Sequence, residues 1–155
     1  MIRQALVALL CLATGCSDHD RGKASPLSPA TPDMPQAVVD TPHYRIHSAA
    51  TAAQTREVAA AVEALHVAYA KTFAVDPAAA RLELVLYRDR AQFKANNRSS
   101  PWAEAYYREP RSHAYPGSGN NPHHWMLHEA THQLLRQASG FRLRKWANEG
   151  VASYF

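Results

Sequence analysis

The residues of this chain that could do chemistry lie near its end, where two histidines stand four positions apart. His128 and His132 enclose Glu129, and Glu149 follows on the next stretch of chain. On a helix, residues four apart lie one turn apart on the same face, so the two imidazoles could bind one metal ion. Glu129 would border the same space, where a general base must sit to take a proton from water. The spacing therefore predicts a metal site with a proton-accepting carboxylate beside it.

Two short helices must position these groups. Asn121-Pro122 predicts a polar cap followed by proline at the first helical position. Apolar residues then recur at helical spacing, and Gly140 is expected to end the first helix. A second helical pattern carries Glu149, and a fold-back at Gly140 would bring it towards the histidines. The alternative interpretation is a surface histidine pair with a solvated glutamate.

The segment from Trp125 to Phe155 resembles the gluzincin clan of zinc metallopeptidases, and more narrowly the bacterial peptidase MA-like proteins. The matching segments are His128-Glu129-Ala130-Thr131-His132 and Trp146-Ala147-Asn148-Glu149-Gly150-Val151-Ala152. The resemblance implies that His128, His132 and Glu149 bind Zn²⁺. It also implies that Glu129 is the catalytic base and that the fold is a zincin-like N-terminal subdomain. Related enzymes continue with a helical subdomain that forms the other wall of the cleft, so the chain is expected to be truncated.

The first residues predict export. Residues 1–16 combine Arg3 with an apolar run from Ala5 to Ala13, which is typical of a signal peptide and too short to span a bilayer. The run ends in Leu-Ala-Thr-Gly-Cys, which resembles a bacterial lipoprotein cleavage site with Cys16 as the lipidated first mature residue. The chain is therefore expected to be lipid-anchored in the bacterial cell envelope, on its periplasmic or surface face. The alternative is an ordinary signal peptide cut near Cys16.

Residues 17–42 predict a disordered or extended linker, because they are rich in proline and almost free of large apolar side chains. Both cysteines, Cys11 and Cys16, precede it, so no disulfide is expected to hold the rest of the chain together. Basic residues exceed acidic ones by four. The densest basic patch consists of Arg136, Arg142, Arg144 and Lys145. This patch is interpreted as solvating helix ends, with attraction to anionic lipid headgroups or to acidic substrates as alternatives.

Residues 43–155 are expected to form one α+β domain, a small mixed sheet with packed helices followed by the helix pair of the metal site. The predicted order is β-α-β-α-β-β and then the two helices. Thr51 with Gln54 predicts a capping box, and the helix that it begins is expected to end near Asp76-Pro77. Residues 81–87 alternate as a strand does, and Asp89 is expected to cap a short helix.

Two further predictions concern the surroundings of the metal site. Residues 105–108 or 112–115 could be an edge strand that binds an extended peptide, the alternative being a structural hairpin. His124 stands four residues before His128, and it is expected to support the ligands or lie at the surface. His66 is expected to flank the core rather than bind metal.

Together these observations predict zinc-dependent peptide hydrolysis by an exported envelope protein. A peptide or protein substrate and the membrane, through lipidated Cys16, are the expected partners, and nucleic acid is not. The alternative is a non-catalytic lipoprotein that binds zinc or peptide. A second alternative is a structural envelope protein in which the motif binds nothing.

Overall fold

The computed structural model describes residue 35 and residues 37–155 of the chain. The predicted signal peptide, with Cys16, and most of the predicted linker lie outside these residues. The strands are β1 Ala37–Asp40, β2 Tyr44–Ser48, β3 Leu82–Leu86, β4 Tyr106–Arg108 and β5 Arg111–Ala114. The helices are α1 Ala52–Ala70, α2 Arg90–Asn96, α3 His124–Gln133 and α4 Lys145–Tyr154, with a π-helical segment at Leu134–Ala138. Within the described part of the chain, no helix has the length and hydrophobicity to span a bilayer.

The five strands form one mixed sheet in the order β1-β2-β3-β5-β4. The three central strands run parallel, and the edge strands β1 and β4 are antiparallel to their neighbours. The helices α1 to α4 complete an α+β fold, so the predicted fold class and the small mixed sheet are confirmed.

One strand lies where the sequence predicted linker. The predicted linker extended to residue 42, whereas Ala37–Asp40 form β1 and pair with β2. All four residues are exposed, so this strand carries no buried apolar pattern that sequence analysis could detect. The strand is held in place by its backbone hydrogen bonds to β2. An ion pair between Asp40 Oδ1 and Arg45 Nε, 2.8 Å apart, adds to this pairing.

The predicted helix starts are confirmed for the first two helices. Thr51 and Gln54 form the capping box of α1, and the Asp89 side chain accepts a hydrogen bond from the Gln92 backbone N–H at 2.8 Å. The end of α1 was predicted too late, because the helix stops at Ala70 rather than near residue 76. The apolar spacing extends to Phe73 because this residue, although it lies after the helix, still packs its ring on Tyr69, with the two ring centroids 4.9 Å apart.

The sheet buries apolar side chains on both faces. Leu82, Leu84 and Leu86 of β3 join the main core with α1 and α3. Val85 of the same strand and Phe93 of α2 belong to a second buried cluster. Burial of each such side chain contributes about 1.5 to 3 kcal/mol to the free energy of unfolding. The predicted alternation of β3 is thus confirmed, and the strand is buried between two apolar layers.

A buried amide attaches α3 to the sheet. Gln133 is fully buried, and its Nε2 donates hydrogen bonds to the carbonyl oxygens of Glu83 at 3.0 Å and Pro110 at 2.9 Å. Its Oε1 accepts a hydrogen bond from Ser112 Oγ at 3.0 Å. One side chain therefore connects the end of α3 to β3, to β5 and to the turn between β4 and β5. Burying this amide costs little because its polar atoms all have partners.

Candidate metal site

Helix α3 presents the two histidines on the side that faces away from the sheet. Met126, Ala130 and Gln133 are buried, while His128 and His132 keep side-chain exposures of 16% and 11%. The imidazole centroids lie 4.8 Å apart with nearly perpendicular rings. The helix begins at His124 and not at the predicted Asn121-Pro122 cap, and its capping residue makes no side-chain hydrogen bond. The spacing of the histidines, one helical turn, does not depend on that boundary.

Helix α4 turns back and brings a carboxylate to these rings. Gly140 adopts a left-handed φ of 67°, which a side chain would oppose, and the Phe141 N–H bonds to the Leu135 carbonyl at 2.7 Å. On α4, Glu149 Oε2 lies 3.3 Å from His128 Nε2 and 3.6 Å from His132 Nε2. The structure therefore brings together the three residues that were predicted as metal ligands.

These distances fit the geometry of a tetrahedral metal site. Zinc binds imidazole nitrogen and carboxylate oxygen at about 2.0 to 2.2 Å, so two ligand atoms at a tetrahedral angle lie about 3.4 Å apart. The two distances from Glu149 Oε2 fall on either side of that value. Two imidazoles and one carboxylate leave a fourth position open, as catalytic zinc sites do.

A second carboxylate, Glu129, also lies close to the histidines. Its ligand atom and those of His128 and His132 all lie within 4.8 Å of one another. Glu129 Oε2, however, accepts a hydrogen bond from the Tyr107 backbone N–H of β4 at 2.8 Å. Glu149 is half exposed and points one oxygen at both rings, so either carboxylate could be a third ligand on distance alone. The hydrogen bond from Tyr107 to Glu129 is the contact that distinguishes the two.

The surroundings of Glu129 raise the pKa of its carboxyl group. Burial raises the pKa of this carboxyl group above its usual value, and the neighbouring Glu149 adds to the effect. The pKa is lowered, to a smaller extent, by three neighbours: His132, the Tyr107 N–H and His128. A raised pKa brings a carboxylate closer to the range in which it accepts and returns protons near neutral pH.

Asn148 makes a contact that sequence analysis did not identify. Its side-chain Nδ2 lies 2.8 Å from His132 Nδ1. In this arrangement the amide N–H donates to Nδ1, and the neutral ring carries its proton on Nε2, towards Glu149. A metal ion on Nε2 would require the amide to turn over, so that its oxygen accepts the Nδ1–H and Nε2 is unprotonated. The only sequence signal was its place next to Glu149, because contact with His132 requires α4 to fold onto α3.

A groove of about 680 Å³ opens beside the histidines, and it is called the site groove below. Its wall includes Tyr107, Glu129, His132, Arg142, Asn148 and Glu149. Strand β4 forms the sheet edge nearest to it, whereas β5 lies between β3 and β4. Of the two predicted edge strands, residues 112–115 are therefore wrong, because β5 is paired on both sides. Residues 106–108 are the ones at the edge.

Two other described histidines, His124 and His66, lie apart from His128 and His132. His124 is exposed, and its ring centroid is 4.6 Å from that of Trp125. His66 is buried and stacks on His43 at 3.6 Å, while His43 Nδ1 contacts Glu63 at 2.7 Å. His124 is thus at the surface and His66 is packed against the core, and that neither binds metal stays a prediction.

Comparisons with protein-family models, curated proteins and solved structures found no match to this chain. The resemblance to the gluzincin clan therefore stays a prediction. The chemistry proposed for the site depends on its geometry, which unites two imidazoles, two carboxylates and a groove.

Proposed function

We propose that this chain is a zinc-dependent peptidase of gluzincin type, with a zincin-like N-terminal subdomain. The observation that carries the proposal is the single Glu149 oxygen that faces both His128 Nε2 and His132 Nε2 at tetrahedral ligand spacing. The same contacts also form between a histidine pair and a glutamate that bind no metal, since an imidazole and a carboxylate attract each other directly, so zinc uptake is the measurement that separates the two interpretations. The bound metal would be Zn²⁺, since two imidazoles and a carboxylate are a common donor set for catalytic zinc.

A bound zinc ion would supply Lewis acidity, which makes water nucleophilic near neutral pH and polarises a peptide carbonyl. His128, His132 and Glu149 would hold the ion, and Asn148 would fix the orientation of His132. These four residues would therefore bind the metal ion and orient its ligands.

Glu129 moves the proton. Its Oε2 is held by the Tyr107 N–H, so Oε1 is the atom that takes a proton from the attacking water and returns it to the leaving amine. Because burial raises its pKa, the carboxyl group can hold that proton between the two transfers. The backbone of β4 thus orients the base as well as forming the groove.

A peptide substrate fits the edge strand better than a small molecule does. Strand β4 is short and has one unpaired edge, and that edge reaches the base through Tyr107. An extended peptide can add to such an edge through backbone hydrogen bonds, here to the Tyr107 carbonyl because the Tyr107 N–H is held by Glu129, and it would then lie along the groove that Glu129 lines. We also propose that the protein is exported and attached to the cell envelope through a lipid on Cys16.

The test is zinc content together with turnover. The chain, purified without a metal-binding tag, is expected to contain one zinc per molecule by mass spectrometry and to cleave a mixed peptide library. Chelation should abolish cleavage, and added zinc should restore it. One zinc without cleavage of any peptide would favour the non-catalytic zinc-binding lipoprotein. A folded chain that takes up no zinc would contradict both.

Replacing Asn148 by alanine is expected to weaken zinc binding about 10- to 100-fold, because His132 loses the group that orients its ring. The measurement is the zinc Kd by competition with a chromophoric chelator. Asn121→Ala is the matched control, since it removes the same amide from an exposed loop residue. An Asn148→Ala affinity within twofold of the unaltered chain would show that the amide does not orient the ligand.

A further inference from the structure

Two arginines line the site groove, and only one of them has a carboxylate to balance it. Arg136 Nε lies 3.2 Å from Glu109 Oε2. Arg142 forms no ion pair or hydrogen bond with any other residue in the described part of the chain. Arg90 pairs with Glu104 and Arg111 with Glu83, but other exposed arginines, such as Arg144, have no carboxylate partner among the described residues either. What distinguishes Arg142 is its place in the wall of the site groove, beside His132 and Glu149.

The backbone on either side of Arg142 is anchored. Gly140 makes the left-handed turn, and the Phe141 N–H bonds to the Leu135 carbonyl at 2.7 Å. The Phe141 ring packs edge-on against Phe73 at 6.0 Å. Helix α4 begins at Lys145, three residues later. The position of Arg142 at the groove is thus fixed by the turn that also delivers Glu149.

The charges of the groove leave Arg142 unmatched. Glu109 is neutralised by Arg136, and Glu149 faces the two histidines. Glu129 is held by Tyr107 and lies among the same imidazoles. A bound metal ion would add positive charge at the histidines, so the groove would then favour an anionic partner.

We propose that Arg142 binds a carboxylate of the substrate, so that the site selects peptides with an acidic group close to the scissile bond. A guanidinium binds a carboxylate through two parallel hydrogen bonds, which gives both strength and orientation. The carboxylate could belong to an Asp or Glu side chain or to a free C-terminus, and the chemistry of recognition is the same. This inference rests on the proposed peptidase function.

The test is a set of matched peptides offered to the zinc-loaded chain. One arm compares Glu with Gln at successive positions, and the other compares a free C-terminal acid with its amide. At one position, kcat/KM is expected to be about 10- to 100-fold higher for the acidic member, the range of a charge-assisted pair. In Arg142→Gln the ratio between acidic and neutral peptides should fall to about one. The arm that shows the preference identifies the source of the carboxylate.

The matched control is Arg144→Gln, which removes the same charge from an exposed residue two positions along. Its acidic-to-neutral ratio is expected to stay at the value of the unaltered chain. If Arg144→Gln lowers the ratio as much as Arg142→Gln does, the attraction is diffuse and the proposed contact is wrong. A preference that survives Arg142→Gln would also overturn it.

A second readout separates this inference from the peptidase proposal. In the zinc-loaded Glu129→Gln chain, isothermal titration should give tighter binding of the acidic peptide than of its neutral partner. Adding Arg142→Gln should remove that difference. If no peptide is cleaved but this pattern appears, the peptidase proposal fails and the carboxylate site stands. Cleavage without any acidic preference, or equal binding of both peptides, overturns the carboxylate site.

Discussion

Replacing Glu129 by glutamine is expected to lower kcat for peptide hydrolysis by about 10²- to 10⁴-fold while the zinc stays bound. Glutamine keeps the size of the side chain, and its carbonyl oxygen can still accept the Tyr107 N–H. It cannot take up a proton at the other position, so the proton transfer from water loses its acceptor. The change therefore removes one chemical step and preserves the shape of the site.

The measurement is kcat on one peptide substrate, beside zinc content for each protein. Glu109→Gln is the matched control, because Glu109 lines the same groove but pairs with Arg136 rather than facing the histidines. Its kcat is expected to stay within a few-fold of the unaltered chain. Undiminished turnover in Glu129→Gln would show that another group is the base.

Removing Glu149 is expected to raise the zinc Kd by about 10²- to 10³-fold. Structural zinc sites bind with apparent free energies of about 10 to 16 kcal/mol over four ligands, so one ligand contributes about 2.5 to 4 kcal/mol. Glu149 is the residue to test, because its oxygen contacts both Nε2 atoms, at 3.3 and 3.6 Å. His128→Ala should have an effect of similar size.

Comparing Glu149→Ala with Glu129→Gln decides which carboxylate is the ligand. Glu149→Ala should lose zinc, and Glu129→Gln should keep it, in equilibrium dialysis against buffered zinc. Glu57→Ala on the exposed side of α1 controls for the loss of a negative charge. The reverse outcome, with zinc lost only from Glu129→Gln, would exchange the two roles.

Local chemistry made much of this fold predictable. The capping box of Thr51 and Gln54, the Asp89 cap and the alternation of β3 each depend on residues within a few positions of one another. Strand β1 and the strand order depend on pairing between distant segments, and an exposed strand carries no pattern of its own. The late start of α3 goes with a local contact that the cap pattern did not reveal, the close packing of the Pro122 carbonyl on Gly117.

The candidate site also has features that were predictable from the sequence and features that were not. The histidine pair follows from helical periodicity, and Gly140 indicated the fold-back that delivers Glu149. The Tyr107 N–H on Glu129 and the Asn148 amide on His132 were not predictable, because each joins elements that meet only after folding. Sequence therefore indicates which groups could react, and tertiary packing determines how each is oriented.

The amide of Gln133 has a thermodynamic consequence for the whole domain. It follows His132 directly on α3 and bonds to backbone carbonyls at Glu83 and Pro110, so the histidine face and the sheet belong to one cooperative unit. A ligand that binds the histidines only in the folded state raises the free energy of unfolding of that unit. The increase grows with the logarithm of the ratio of the ligand concentration to its Kd. Occupancy of the site would thus add to the protection of β3 and β5 against unfolding, although neither strand touches the ligand.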